Sequence, residues 1–261
     1  MVSRPIWSSY DGDLLSERGL FYGDGLFETI LIANGRPRLL DLHLNRLKRS
    51  AKALRLKLPE RLSEQIDSGL LESGVTDAAM KLVLSRQASS RGYGADPSAE
   101  SHCLLLLYNL EAVGKTANQT GVDVCLCNTR LARQPALAGH KHLNRLEQVL
   151  ARSEWQRSDI AEGLMLDTCG NLIEGTACNL FLVRDGVLST PDLTYSGVAG
   201  VMREWVMREA RAAKIEVHET DIGLSDVEHA DELFLTNALM GIRPVANYVG
   251  LLPDKNLAVD L

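Results

Sequence analysis

From residue 111 to residue 121 the chain reads EAVGKTANQTG, a mostly polar stretch with no apolar period, and it separates two segments that are regularly patterned. At typical domain sizes of about 150 residues, a 261-residue chain holds one large domain or two modest ones, and the break favours two. We therefore expect an N-terminal α/β domain over 1–110, a linker over 111–121 and a C-terminal α/β domain over 122–261.

The first segment alternates strand and helix signals. FETILIANGRPRLL, residues 27–40, sets two apolar runs around Asn34-Gly35, a dipeptide suited to the left-handed backbone of a tight hairpin turn. Leu42, Leu44, Leu47, Ala51 and Leu54 then recur at helical spacing, and a second helix runs from Pro59 through Leu62, Ile66 and Leu70 to Gly74. Residues 80–86 and 103–110 read as buried strands, and the polar loop between them, 87–101, is a candidate functional segment.

In the second segment we expect strands over 122–128, 163–166, 215–219 and 232–236, and helices over 144–155 and 201–213. A turn falls at Cys169-Gly170-Asn171, and a hairpin closes through Arg184-Asp185-Gly186. The mixture of strands and helices in both segments predicts a mixed α/β fold.

Composition narrows the function. With 28 Lys plus Arg against 34 Asp plus Glu, the net charge of -6 offers no general basic excess for nucleic acid. The longest apolar run, 103–108, has six residues where a membrane helix needs about twenty, and the N-terminus has no apolar core of a secretory signal. Five cysteines (103, 125, 127, 169 and 178), an odd number, fit a reducing cytoplasm better than a disulfide framework. No metal site is expected, because Cys125 and Cys127 have no second ligand pair at metal spacing, and His140 and His142 read as ordinary histidines flanking a lysine. The glycine-rich dinucleotide and P-loop motifs, the nucleophile elbow and the zinc-protease motif are all absent.

Four features point to one chemistry together, although each alone has a plainer reading. Lys141 precedes a segment in which Leu143, Leu146 and Leu150 mark the expected buried face of a helix; a lysine near the positive end of such a helix is suited to Schiff-base chemistry. Glu174 sits between an apolar strand end and a Gly-containing turn, where a carboxylate can hold a ring nitrogen protonated. Gly197-Val-Ala-Gly-Val-Met-Arg-Glu runs into a helix start with N–H groups aimed at an anion. Arg46, in His43-Leu-Asn-Arg-Leu, is a helical arginine able to grip a phosphate.

The order Tyr22-Gly-Asp-Gly-Leu-Phe-Glu-Thr, His43-Leu-x-Arg-Leu, Lys141-x-Leu-Asn, Glu174-Gly-x-x-x-Asn-Leu-Phe and Gly200-Val-Met-Arg resembles the fold-type IV pyridoxal-phosphate enzymes over nearly the whole chain. Lys141-His-Leu-Asn-Arg-Leu-Glu-Gln-Val-Leu-Ala-Arg and Asn237-Ala-Leu-Met resemble the lyase branch of that family, which releases pyruvate from 4-amino-4-deoxychorismate to leave 4-aminobenzoate in folate biosynthesis. The resemblance implies a two-domain homodimer with pyridoxal 5'-phosphate between the domains and a small-molecule substrate.

By the same resemblance, Lys141 carries the cofactor covalently and Glu174 faces its pyridine nitrogen. Arg46, the N–H groups of Val201 and Met202, Asn237 and Ala238 hold its phosphate. Arg91 and Tyr93 bind a substrate carboxylate, and Thr29 is the candidate proton donor to the leaving group. D-amino-acid transaminases of the family carry a tyrosine where this chain has Phe27; a D- or branched-chain amino-acid transaminase is the alternative activity.

Overall fold

In the computed structural model, residues 4–8, 18–87, 92–110 and 121–251 are described. The chain forms two compact units. The first comprises Met1–Thr116 with His140–Asn144, the second Ala117–Gly139 with Arg145–Leu261.

The first unit runs β1 (Arg4–Ser8), α1 (Arg18–Tyr22), β2 (Gly25–Ala33), β3 (Arg36–Pro37), α2 (Leu40–Leu54), α3 (Leu62–Ser73), β4 (Ala78–Arg86) and β5 (Ser101–Asn109). Its sheet is antiparallel in the order β1-β5-β4-β2-β3. Asn34 and Gly35, at φ 51° and 71°, close the β2–β3 hairpin as the sequence implies, because both turn positions need positive φ. Along β2 the side chains alternate: Leu26, Ile30 and Ile32 enter a core with Leu47 and Ala51 of α2 and Leu62, Ile66 and Leu70 of α3, while Phe27, Thr29 and Leu31 face the other way.

The second unit adds β6 (Val122–Leu126), α4 (Leu146–Arg152), β7 (Ile160–Leu166), β8 (Leu172–Gly175), β9 (Asn179–Arg184), β10 (Val187–Pro191), α5 (Val201–Ala212), β11 (Val217–Thr220), α6 (Leu224–Glu228), β12 (Glu232–Asn237) and β13 (Gly241–Leu251). These strands make a mixed sheet in the order β11-β10-β9-β12-β13-β6-β7-β8, parallel at β10–β11, β13–β6 and β6–β7. No helix among the described residues is long and apolar enough to cross a membrane.

Three differences from the sequence reading have physical causes. Residues 111–120 of the expected linker, 111–121, lie outside the described residues, and His140–Asn144 joins the first unit instead of the C-terminal residues around it. Backbone hydrogen bonds from Phe27 N to Lys141 O (3.0 Å) and from Leu143 N to Gly25 O (3.0 Å) add this segment to the edge of β2. Second, α4 spans only 146–152 and turns Leu146, Val149 and Leu150 outward, 74%, 56% and 61% exposed, while Gln148 and Ala151 are buried. Of the leucines assigned to its core face, Leu146 and Leu150 therefore lie on the surface, whereas Leu143 precedes the helix and is half-buried. Third, β13 has no counterpart in the sequence reading: its Ile242, Val245, Tyr248 and Val249 are interrupted by polar residues, Pro244 and Gly250, so no apolar run marks it.

Candidate active site

Lys141 lies in the extended segment paired to β2, and helix α4 begins five residues further on, at Leu146. A helix dipole fades within its first turn, so the sequence argument from the dipole does not carry to this lysine. Its setting is a ring instead: Lys141 Nζ lies 4.3 Å from the centroid of Phe27. Lys81 Nζ approaches the same ring at 5.1 Å from β4, where Lys81 is the register partner of Thr29. Phe27 and Thr29, two residues apart on one strand, share that face, so an amine pair, an aromatic ring and a hydroxyl group gather on one side of the first sheet. Lys81 escaped the sequence reading; its signal was a charged residue inside an otherwise apolar strand run.

On the opposite face of β2, Glu28 enters the core. Arg46 of α2, 4% exposed, donates to it through Nε (2.8 Å, to Oε1) and Nη2, and His43 Nδ1 lies 2.7 Å from its Oε2. Burial by itself would raise the Glu28 carboxyl, but the Arg46 charge and the His43 hydrogen bond overcome it and hold the group down at about 2. One edge of the Arg46 guanidinium is thus engaged by Glu28, which orients the side chain. Glu28 and His43 were not singled out from sequence, although a carboxylate on the buried phase of a strand is a visible anomaly.

In the second unit Glu174 stands on β8, 4% exposed. Its Oε2 accepts from Val198 N at 2.8 Å and its Oε1 from Gln148 Nε2 at 3.3 Å. Gly197, at φ 83°, brings the following loop against it; a Cβ there would stand 2.6 Å from Ile173 Cγ2 and 3.3 Å from Glu174 Oε2. The same loop pairs with Gly139, whose N donates to Gly197 O at 2.9 Å while Ala199 N donates to Gly139 O at 3.1 Å. Asn179 Nδ2 holds Val198 O at 2.8 Å.

The loop ends at Gly200, the N-cap of α5, and no side chain caps this terminus, so Val201 and Met202 present first-turn N–H groups. Buried hydroxyls of Ser196 and Thr236, on residues 4% and 1% exposed, have no hydrogen-bond partner among the described residues. An uncapped helix start offers the N–H donors that a phosphate satisfies. The Asn237 side chain is engaged in its own turn, accepting from Leu239 N (3.0 Å) and Met240 N (2.7 Å), with half-buried Ala238 between. Arg91 lies outside the described residues; Tyr93 is 87% exposed, its ring edge-on to Tyr22 at 5.4 Å.

Known proteins share this fold. The aminodeoxychorismate lyase of Vibrio harveyi is 34% identical over 89% of this chain and 86% of its own length. The crystal structure of 4-amino-4-deoxychorismate lyase from Pseudomonas aeruginosa is 40% identical with a TM-score of 0.88, covering 96% of this chain and 94% of that one. The T.th. branched-chain amino acid aminotransferase with pyridoxamine 5'-phosphate has the same fold at 24% identity and a TM-score of 0.79, covering 95% and 87%. The family model for amino-transferase class IV matches residues 25–248, which takes in Phe27, Arg46, Lys141, Glu174 and the start of α5, and the chain belongs to that family.

Proposed function

We propose that the protein is a pyridoxal 5'-phosphate-dependent lyase that splits 4-amino-4-deoxychorismate into 4-aminobenzoate and pyruvate. The observation that carries this reading is the Lys141 amine over the bare ring of Phe27: a base stands beside an apolar aromatic platform, with no hydroxyl on the ring to hold an amino-acid carboxylate. The likeness to the Vibrio harveyi and Pseudomonas aeruginosa lyases, at 34% and 40% identity, supports it.

The residues present fit the cofactor. Lys141 would bind its aldehyde carbon, and Glu174 its pyridine nitrogen. The N–H groups of Val201 and Met202, the orphaned hydroxyls of Ser196 and Thr236, Arg46, and the backbone at Asn237 and Ala238 would take the phosphate. When bound, the cofactor supplies an electron sink that acidifies the C–H at the amine-bearing ring carbon of the substrate.

Lys141 removes that proton as general base. Glu174, oriented by Val198 N and Gln148, keeps a proton on the ring nitrogen. Thr29, on the Lys141 side of β2, delivers a proton to the methylene carbon of the departing enolpyruvyl group. Its C–O bond to the ring breaks, the ring becomes aromatic, and the two products together contain the atoms of the substrate with no co-reactant. Lys81 and Tyr93, with Arg91, would receive the substrate carboxylates.

The working unit is a homodimer in this reading: the apolar stripe of Leu146, Val149 and Leu150 on α4 needs cover, and a second copy supplies it. All five cysteines are free thiols, which suits a cytoplasmic protein. Incubation of purified holoenzyme with 4-amino-4-deoxychorismate should release pyruvate and 4-aminobenzoate in equal amounts. A new amino acid formed only when a keto acid is added, without pyruvate release, would overturn the lyase in favour of a transaminase.

A further inference from the structure

Asp24 lies between two pinned glycines. Asn144 Nδ2 donates to Gly23 O at 3.2 Å, and Gly25 O accepts from Leu143 N at 3.0 Å, so Asp24 is tied on both sides to the segment that carries Lys141. Two buried arginines converge on its carboxylate. Arg18 Nε reaches Oδ2 at 2.8 Å and Arg86 Nε reaches the same oxygen at 2.9 Å. Burial would raise this carboxyl, but the Arg86 and Arg18 hydrogen bonds and charges bring it below its ordinary value.

The outer edges of the two guanidiniums reach different elements. Arg86 donates to Arg55 O at 2.6 Å and to Leu54 O at 2.7 Å, closing the C-terminus of α2. Arg18 donates through Nη1 to Gly92 O at 2.9 Å and through Nη2 to Tyr93 O at 3.2 Å, and its guanidinium lies 4.9 Å from the Tyr22 ring that Tyr93 meets edge-on. The Tyr93 side chain is almost wholly exposed, yet the backbone beneath it is held by a charge-assisted fork from a buried side chain. An exposed loop tip is where chain disorder ordinarily concentrates, so this attachment opposes the usual tendency.

We infer that Arg18 is a positioning residue for substrate binding: through Asp24 it fixes the backbone under Tyr93 in register with the Lys141–Leu143 strand. The inference rests on the proposed role of Tyr93 in substrate binding. A fixed loop binds without the cost of ordering it, and that gain is the same for bound substrate and transition state. Arg18 therefore acts on KM and leaves kcat alone.

The test compares holoenzyme carrying Arg18→Ala, Arg18→Lys or Lys57→Ala with the parent, by steady-state pyruvate release from 4-amino-4-deoxychorismate and by chymotryptic cleavage after Tyr93. Lys57 makes an exposed ion pair with Glu100 at the far end of the loop, and is the control. Arg18→Ala should raise KM by about tenfold or more with kcat within about threefold, and speed cleavage by a similar factor. Arg18→Lys, which keeps the charge beside Asp24 but not the planar fork, should fall between. Lys57→Ala should match the parent.

An unchanged KM in a folded Arg18 variant, a fall in kcat matching the rise in KM, or an equal effect of Lys57→Ala would overturn the inference. If Arg18→Ala fails to fold, Arg18→Lys decides it by the same criteria. If the parent releases no pyruvate, the lyase reading fails separately, and cleavage after Tyr93 that Arg18→Lys leaves unaccelerated would overturn the clamp.

Discussion

Glu28 occupies a core position that an apolar residue would fill more cheaply, and its neighbours explain why it is tolerated. Arg46 and His43 satisfy it, so the cost of burial is met by a charge-assisted network that also fixes the Arg46 guanidinium. Removing one partner exposes the cost. Glu28→Ala should lower unfolding stability by roughly 3 to 5 kcal/mol in urea titrations at pH 7, and should weaken cofactor retention on dialysis because Arg46 loses its orientation.

The same residue sets an acid dependence. Its folded carboxyl is at about 2 against an ordinary 4.5, so it contributes stability that is fully present above pH 4.5 and is lost as pH falls from there toward 2. The stability gap between the parent and Glu28→Gln, measured by urea unfolding, should therefore narrow on going from pH 5 to pH 3; a constant gap would contradict the assignment. Among the lysines, borohydride reduction of holoenzyme should label Lys141. Lys81 is the sharpest control because it borders the same ring, and label there would exchange their roles. Glu174→Ala should retain the cofactor, checked by its absorbance, and lose most turnover, with Glu174→Asp intermediate.

Two helices carry their consequences at the level of whole elements. In α4 the apolar residues at positions 146, 149 and 150 form a stripe at helical spacing that the described residues leave exposed. If the proposed homodimer forms through α4, Leu146→Glu should give a monomer by sedimentation with secondary structure retained; a folded variant that remains dimeric would remove α4 from the proposed interface. In α5 the N-terminus depends on a close approach. A Cβ on Gly200 would lie 2.0 Å from Asn179 Oδ1, so Gly200→Ala must displace Asn179 from Val198 O, although the Gly200 backbone, at φ -65°, suits any residue. We expect this substitution to loosen cofactor binding, measured as faster loss of absorbance on dialysis, with little change in melting temperature.

Across the molecule, the hairpin at Asn34-Gly35, helices α2, α3 and α5 and strands β4 and β5 were legible because each is specified by short-range rules: turn chemistry, a helical apolar period, or an unbroken apolar run. The order of motifs also marked Lys141, Glu174 and the glycine-rich entry to α5 as the proposed site, because these residues stand within short specific strings. What the chain by itself could not disclose depends on partners distant in sequence. The attachment of residues 140–144 to β2, the arginine pair on Asp24, and the Glu28–Arg46–His43 network join residues that no local pattern relates. The outward turn of α4 likewise depends on which face the neighbouring segments bury, since its leucines have helical spacing whichever way they point. Local preference decides what each segment becomes, whereas long-range hydrogen bonding and burial decide what it faces, and the setting of Lys141 belongs to the second kind.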